Sequence, residues 1–266
     1  MPKANSPPLH GSARQLVRAA FNRAATRYDA ASTLQKEVCA LLLAGLDASG
    51  LGAYPAILDA GCGTGYGARL LRSEFSGAHL TLADFAPAML EQAKNSANIC
   101  CVADIHALPF ANSSFDLWWS SLVIQWCNTG AVFTEAARVL RSGGYLAVST
   151  LGEHTFAELR TAFSALDPYR HTLDFATETL IYAAIQQAQC TDIALHRTTI
   201  TQHYPDLKSL LHSVKAIGAN TVVVGGRSAL MGRKGWQALE AAFEKQRTPE
   251  GLPLSYDVIW GYAKRC

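Results

Sequence analysis

The chain has 266 residues, of which 49% are hydrophobic and 17% are charged, and its formal net charge is +2. A chain of this length and composition folds as one large domain or two small ones around a sizeable core. The weak net charge gives no indication of nucleic-acid binding, which would need cations clustered beside groove-reading elements.

The beginning of the chain carries no sign of targeting or membrane insertion. Residues 1–11 are rich in Pro and Gly, and we expect them to form a disordered tail. No apolar run there is long enough for a secretory signal, and the most apolar stretch, VCALLLAGL, has less than half of the length needed to cross a bilayer. We therefore expect a cytoplasmic protein that binds neither a membrane nor nucleic acid.

The segment 12–47 places apolar residues at helical spacing, as at Leu16, Ala20, Leu34 and Val38. This spacing predicts two N-terminal helices, broken near Tyr28–Ser32.

From residue 55 to residue 150, short apolar runs alternate with helical patterns. The expected strands are AILDAG, HLTLADF, ICCVADI, FDLWWSSLV and GGYLAVSTL, and the expected helices between them are YGARLLRSEF, APAMLEQAKN and AVFTEAARVL. Such alternation is typical of an α/β, Rossmann-like fold with a mostly parallel sheet and helices on both faces. Further helices are predicted at 154–166, 176–189 and 234–247, and further strands at 192–204 and 253–264. We expect residues 12–266 to form a single domain.

The seven cysteines lack the spacing of metal ligands, because no Cys-x-x-Cys occurs and Cys100 and Cys101 are adjacent. Their odd number in a long chain predicts reduced thiols, and we expect no bound metal.

The first predicted strand leads into a glycine-rich turn, which two kinds of cofactor fit. Gly63 and Gly65, with Ala68, match a dinucleotide fingerprint. Counted from Asp59 through Gly61, the same turn places an acid beside the glycines, where it would repel a pyrophosphate. That acid suits a ligand with an ammonium group and no phosphate, such as S-adenosylmethionine.

Two more acids end the second and third strands and favour S-adenosylmethionine over a nicotinamide dinucleotide. Asp84 can accept hydrogen bonds from both ribose hydroxyls, and Asp104 can accept one from the adenine amino group while Ile105 packs on the ring. Three acids at successive strand ends line the edge where open α/β sheets bind ligands. The alternative is that they are solvated turn residues.

Residues 55–150 resemble the class I S-adenosylmethionine-dependent methyltransferases in their successive motifs LDAGCGTG, LADFAPAML and VADIHALPF. The resemblance implies a seven-stranded sheet whose last strand, PLSYDVIWGYAK, is antiparallel, and it implies S-adenosylhomocysteine as a product. The expected cofactor-binding residues are Tyr28, Asp59, Gly61, Cys62, Gly63, Gly65, Asp84, Phe85, Met89, Asp104, Ile105 and Ser120.

The segment after the third motif offers no base for the methyl acceptor. Ser120, Ser121 and Gln125 are neutral, and Trp118 and Trp119 are expected to pack in the core. An amine or a phenol generally needs a base, whereas a carboxylate is already ionised, so this segment is compatible with a carboxylate acceptor.

Four flanking segments resemble the malonyl-[acyl-carrier protein] O-methyltransferases, which open pimelate synthesis for biotin. They are AFNRAATRYDAASTLQ, DLWWSSLVIQWC, the strip from LKSLLHSVKAIGAN to GGRSALMGRKGW, and GLPLSYDVIWGYAK. The resemblance implies that the free carboxylate of a malonyl thioester accepts the methyl group. Other small carboxylates, a quinone-like acceptor, and a non-catalytic assembly factor that binds S-adenosylmethionine remain alternatives.

Between Leu207 and Leu239 the chain has five Lys or Arg residues, one His and no acid. We expect segment 205–247 to form a helical lid on the substrate side, although a solvated basic face is the alternative. By the resemblance, its partner is an acidic acyl carrier protein carrying a malonyl group. The expected docking residues are Lys208, Lys215, Arg227, Arg233 and Lys234, and the expected catalytic residues are Tyr28, Gln125, Arg227 and Arg233, with an arginine holding the carboxylate.

Overall fold

The structure is a computed structural model, and it describes residues 12–47, 50–164, 166, 172–216 and 232–266. The expected tail at 1–11 lies outside these residues, as do the centre of the basic strip and its Arg227. Lys215 belongs to a described helix, but its side chain is outside what the structure describes.

The described part of the chain contains a seven-stranded sheet in the order β3-β2-β1-β4-β5-β7-β6. The strands are β1 (Ala56–Ala60), β2 (His79–Asp84), β3 (Ile99–Val102), β4 (Phe115–Ser121), β5 (Leu140–Leu151), β6 (Cys190–Tyr204) and β7 (Leu252–Arg265). β1 to β5 pair in parallel, and β7 lies between β5 and β6, antiparallel to both. This confirms the predicted α/β class and the antiparallel last strand.

The helices follow the predicted alternation. They are α1 (Ser12–Ala24), α2 (Tyr28–Ala31), α3 (Thr33–Ala44), α4 (Tyr66–Glu74), α5 (Pro87–Ala93), α6 (Thr129–Val139), α7 (Ala157–Ser164), α8 (Glu178–Gln187), α9 (Leu207–Ala216) and α10 (Arg233–Glu244). The N-terminal segment is more broken than two helices, because a 3-10 turn at Ala25–Arg27 separates α1 from α2. Ser32 then interrupts the helical path, and its hydroxyl donates to the carbonyl of Asp29 at 3.1 Å. A serine that bonds to a nearby backbone carbonyl in this way offers the chain an alternative to helix.

Alternating residues of the central strands supply the core on both faces of the sheet. Leu58 and Trp118 pack in one cluster with residues of α6 and α8, while Ile57 and Trp119 pack in another with residues of α3, α4 and α5. Both tryptophans are fully buried, which confirms the expectation of core packing. A third cluster joins α7, α9 and α10 to β7. The sheet is thereby fixed between helices, and the loops after its parallel strands remain at one edge.

Candidate functional site

A cavity of about 810 Å³ opens at the carboxyl edge of the sheet, beside the ends of β1, β2 and β4 and under α1. Its position is where open α/β sheets bind ligands. Of the predicted cofactor residues, it is lined by Tyr28, Gly61, Gly63, Asp84, Phe85, Met89, Asp104 and Ile105. The structure therefore brings most of the predicted cofactor set together around one space.

The turn after β1 has positive φ at Gly61, Gly63 and Gly65, with values of 79°, 53° and 81°. A Cβ at Gly61 would lie 2.4 Å from the Val123 side chain, so only glycine fits there. At Gly63 a Cβ would meet nothing within 4 Å, and this residue lines the cavity. The turn thus exposes bare backbone to the cavity, which lets a ligand approach it closely.

Asp84 fixes the glycine turn to the end of β2. Its carboxylate accepts hydrogen bonds from the backbone N–H of Gly63 at 2.9 Å and of Ala86 at 2.8 Å. Burial raises its pKa to about 6, although these backbone bonds act in the opposite direction. At neutral pH Asp84 is therefore largely ionised, with lone pairs left to accept hydrogen bonds from ligand hydroxyls.

Asp59 lies behind the glycine turn and does not itself line the cavity. Its side chain is 2% exposed, and Oδ2 has no hydrogen-bond partner among the described residues. Burial, and then the negative charge of Asp84, raises the pKa of Asp59 to about 8. A buried carboxyl group without a partner is costly, and a nearby cation would relieve that cost. This orphaned oxygen fits a cationic ligand such as S-adenosylmethionine better than a pyrophosphate.

The predicted adenine-side acid, Asp104, takes part in a hydrogen-bond network with α1. Arg14 donates to its Oδ2, and His106 contributes its backbone N–H at 3.0 Å and its Nδ1 at 2.7 Å. The Nε2 of His106 accepts from the backbone N–H of Asn128 at 3.0 Å, so the ring proton lies on Nδ1. Burial alone would raise the pKa of Asp104, but these partners hold it below its usual range.

α1 and α2 cover the cavity, and side-chain contacts with residues far along the chain hold them there. The ring of Phe21 lies 6.3 Å from that of Phe85 and 6.0 Å from that of Trp126. Asn22 accepts from the backbone N–H of Ala88 at 3.0 Å. These contacts join segments distant in sequence, so no local pattern could have indicated them.

Four predicted cofactor residues do not line the cavity: Asp59, Cys62, Gly65 and Ser120. Ser120 is fully buried, and its hydroxyl donates to the carbonyl of Ala60 at 2.7 Å, which ties β4 to β1. Its neighbour Ser121 faces the cavity instead, with its hydroxyl 2.9 Å from that of Ser149. Because successive strand residues face opposite sides, only one of the two adjacent serines can point into the site.

A second cavity, of about 430 Å³, adjoins the first. The residues that line both are Phe21, Tyr28, Leu122 and Trp126, and the second is completed by Leu34, Gln35, Gln125, Leu151, Phe156, Leu173 and Phe175. Its wall is thus apolar apart from Tyr28 and two glutamines. None of its described lining residues is charged.

Tyr28 stands between the two cavities, and Gln125 supports the wall beside it. Burial, and then the charge of Asp84, raises the pKa of Tyr28, while a hydrogen bond from the Gln35 side chain opposes this, so the phenol is neutral. Gln125 donates to the carbonyl of Leu122 at 2.7 Å and accepts from Thr150 at 3.2 Å. Leu122 has a φ of 54°, a left-handed conformation that is strained for a leucine and is often found at functional sites.

Of the two predicted carboxylate-binding arginines, the structure describes Arg233 and not Arg227. Arg233 is exposed in the first turn of α10 and lines neither cavity. Arg227 is outside the described residues. Lys208 and Lys234 are exposed, and α9, which carries Lys208, packs against α2.

Comparison with known proteins decides the family. Residues 58–148 match the model of the methyltransferase domain. A malonyl-[acyl-carrier protein] O-methyltransferase of Dechloromonas aromatica (strain RCB) is 44% identical over 99% of this chain and 98% of that protein. This chain belongs to the malonyl-[acyl-carrier protein] O-methyltransferase family.

The biotin biosynthesis bifunctional protein BioHC of Cellvibrio japonicus (strain Ueda107) is 38% identical over 93% of this chain and 49% of that protein. Among solved structures, the YcgJ protein of Bacillus subtilis superposes with a TM-score of 0.59 at 16% identity, covering 86% of this chain and 98% of that one. At that identity the likeness shows the fold, and it agrees with the Rossmann-like class predicted from the sequence. No helix in the described ranges is long and apolar enough to span a membrane.

Proposed function

We propose that this protein transfers the methyl group of S-adenosylmethionine to the free carboxylate of malonyl-acyl-carrier protein. The products are S-adenosylhomocysteine and a malonyl methyl ester, from which pimeloyl synthesis for biotin starts. The observation that carries this proposal is the 44% identity to a malonyl-[acyl-carrier protein] O-methyltransferase along nearly the whole chain.

The larger cavity is the cofactor site in this proposal. Asp84 would bind the ribose hydroxyls, Ile105 and Met89 would pack against the adenine, and the turn Gly61–Gly65 would surround the methionine portion. When bound, S-adenosylmethionine supplies an electrophilic methyl group. Tyr28 is well placed to donate a hydrogen bond at the boundary with the second cavity, because its phenol is neutral there.

The acceptor chemistry fits the neutral surroundings of the second cavity. A malonyl carboxylate is ionised at neutral pH, so it needs no general base. The described lining residues of that cavity include no His, Asp, Glu or Lys that would act as one. What the protein must supply is position and the exclusion of water, and the apolar wall supports both.

The carrier protein would dock on the basic strip. Lys208, Arg233 and Lys234 are exposed on α9 and α10, and α9 adjoins α2, which begins with Tyr28. Exposed cations steer an acidic partner and align it before contact. Lys215 and Arg227 are included in the proposed surface because of their positions in the sequence of the basic strip. All seven cysteines are free thiols, which supports the cytoplasmic location that we propose.

Transfer of a labelled methyl group to three acceptors tests the proposal. We expect malonyl-acyl-carrier protein to be methylated with the highest kcat/KM, malonyl-coenzyme A more slowly, and free malonate slowest. Equal kcat/KM for free malonate would overturn the carrier part of the proposal. Absence of label on all three acceptors would overturn the function.

A further inference from the structure

We infer that the second cavity is the acceptor chamber, and that Gln35 and Tyr28 hold the acceptor carboxylate through neutral hydrogen-bond donors, with Gln125 as a positioning residue. This inference rests on the proposed function and deepens it. It replaces the arginine clamp expected from the sequence with a pair of uncharged groups.

The side chains that line both cavities indicate where the carboxylate of the acceptor binds. Tyr28, Leu122, Phe21 and Trp126 line both spaces. A methyl group carried in the first cavity meets a nucleophile in the second at the boundary that these four side chains line. The carboxylate therefore belongs at the Tyr28 end of the second cavity, with the malonyl chain extending along the apolar wall.

Gln35 and Tyr28 lie together and keep a hydrogen-bond donor that a ligand can use. Both side chains line the second cavity, and Gln35 Oε1 is buried without a hydrogen-bond partner among the described residues, while hydrogen bonding by the Gln35 side chain acts to lower the pKa of Tyr28. If the amide nitrogen donates to the phenol oxygen, the phenol O–H is free to donate to a ligand. If the amide is rotated by half a turn, the phenol donates to Oε1 and the amide N–H is free instead. In both orientations the pair offers at least one donor to a carboxylate.

The Gln125 amide already has hydrogen-bond partners within the protein, so it acts on the acceptor only through the backbone of Leu122. Its amide bonds to the Leu122 carbonyl and to the Thr150 hydroxyl. These bonds keep Leu122 in its left-handed conformation, at the boundary that the methyl group crosses. Gln125 is therefore a positioning residue for the wall.

Neutral donors suit a carboxylate nucleophile better than an arginine would. A bidentate arginine would stabilise the negative charge of the ground state most strongly, and this stabilisation is lost as the charge disappears in the ester. Amide and phenol donors orient the oxygen with less of that cost. The apolar wall raises the attraction between the carboxylate and a cationic cofactor, because water does not screen it.

Substitutions at Gln35 test the chamber. We expect Gln35→Leu to lower kcat/KM for malonyl-acyl-carrier protein at least tenfold, while the Kd for S-adenosylhomocysteine, which also reports folding, stays within twofold. We expect Gln35→Glu to be still less active at about pH 8, where its charge repels the acceptor, and to recover as the pH falls and the carboxyl group becomes a donor. Gln186→Leu, at an exposed position on α8, is the matched control and should leave both quantities unchanged.

Binding is measured beside turnover, so that the two proposals can fail separately. Malonyl-pantetheine is titrated into wild-type protein and Gln35→Leu, both saturated with S-adenosylhomocysteine. Weaker binding to the variant supports the chamber, even if wild-type protein transfers no methyl group and the proposed function fails. Equal affinity for both proteins, or equal kcat/KM in all Gln35 variants, would overturn the chamber.

Discussion

At the residue scale, the sequence shows that Asp59 is an acid beside the glycine turn, and its buried surroundings determine whether that acid is protonated. The position of an acid beside the glycines indicates a cationic ligand, and the structure adds that its Oδ2 is without a partner in the described residues. Only the packing around Asp59 reveals that its pKa is raised to about 8, because that value depends on burial and on Asp84, which is distant in sequence. The sequence predicts the charge but not its protonation.

The raised pKa of Asp59 predicts a pH-dependent affinity for S-adenosylmethionine. Below about pH 8 the free protein keeps Asp59 protonated, and a cation nearby favours the ionised form, so binding releases a proton. The affinity should therefore rise with pH, by at most about tenfold per pH unit, and level off above about pH 8. Calorimetric titration at several pH values, in buffers of different ionisation enthalpy, measures both the affinity and the proton release.

Asp59→Asn is the control for that titration, because it cannot release the proton while keeping a similar shape. The difference between wild-type protein and this variant isolates Asp59 from any proton that the ligand itself exchanges. The same pH dependence in both proteins would contradict the assignment.

At the element scale, the broken N-terminal helices make the cover of the cofactor cavity. Arg14, near the start of α1, bonds to Asp104, and Phe21, near its end, packs on aromatic rings from two loops. α1 therefore contacts the site near both of its ends. Helical spacing in the sequence predicted helices in this segment and a break near Tyr28. It could not predict the extra break at Ala25–Arg27 or the partners of Arg14, because these arise from contacts with residues far along the chain.

The exposed cations at the starts of α9 and α10 give a prediction about the carrier protein. The triple variant with Lys208→Glu, Arg233→Glu and Lys234→Glu should raise the KM for malonyl-acyl-carrier protein more than about tenfold, because three attractive charges become repulsive. The KM for malonyl-pantetheine should stay within twofold, since that acceptor carries no acidic protein. Steady-state kinetics with both acceptors, repeated at higher salt, measures the difference, which screening should reduce.

Arg141→Glu is the matched control for charge reversal. Arg141 lies at the start of β5, at the opposite edge of the sheet, where it pairs with Asp116 at the protein surface. Its reversal should leave the KM for both acceptors unchanged. An equal rise of the carrier KM in this variant and in the triple variant would mean that overall charge, and not the strip, guides docking.

At the scale of the whole molecule, the fold was largely predictable and the acceptor site was not. Short apolar runs and helical spacing identify strands and helices locally, so the alternation from β1 to β5 could be predicted, whereas the antiparallel β7 was implied by the family resemblance. The second cavity depends on side chains from α2, α3, β5 and the loop before α8 meeting at one place. Gln35 ends the N-terminal segment AFNRAATRYDAASTLQ, but the sequence does not connect it with the acceptor, and only its buried, unpartnered oxygen does so.

The most direct test of the account is to identify the product formed on malonyl-acyl-carrier protein. Intact-mass measurement after incubation with S-adenosylmethionine should show the gain of one methyl group, and cleavage of the thioester should release that methyl group as monomethyl malonate. A carrier protein that remains unmethylated, or a methyl group that stays on the carrier protein after thioester cleavage, would contradict carboxylate methylation.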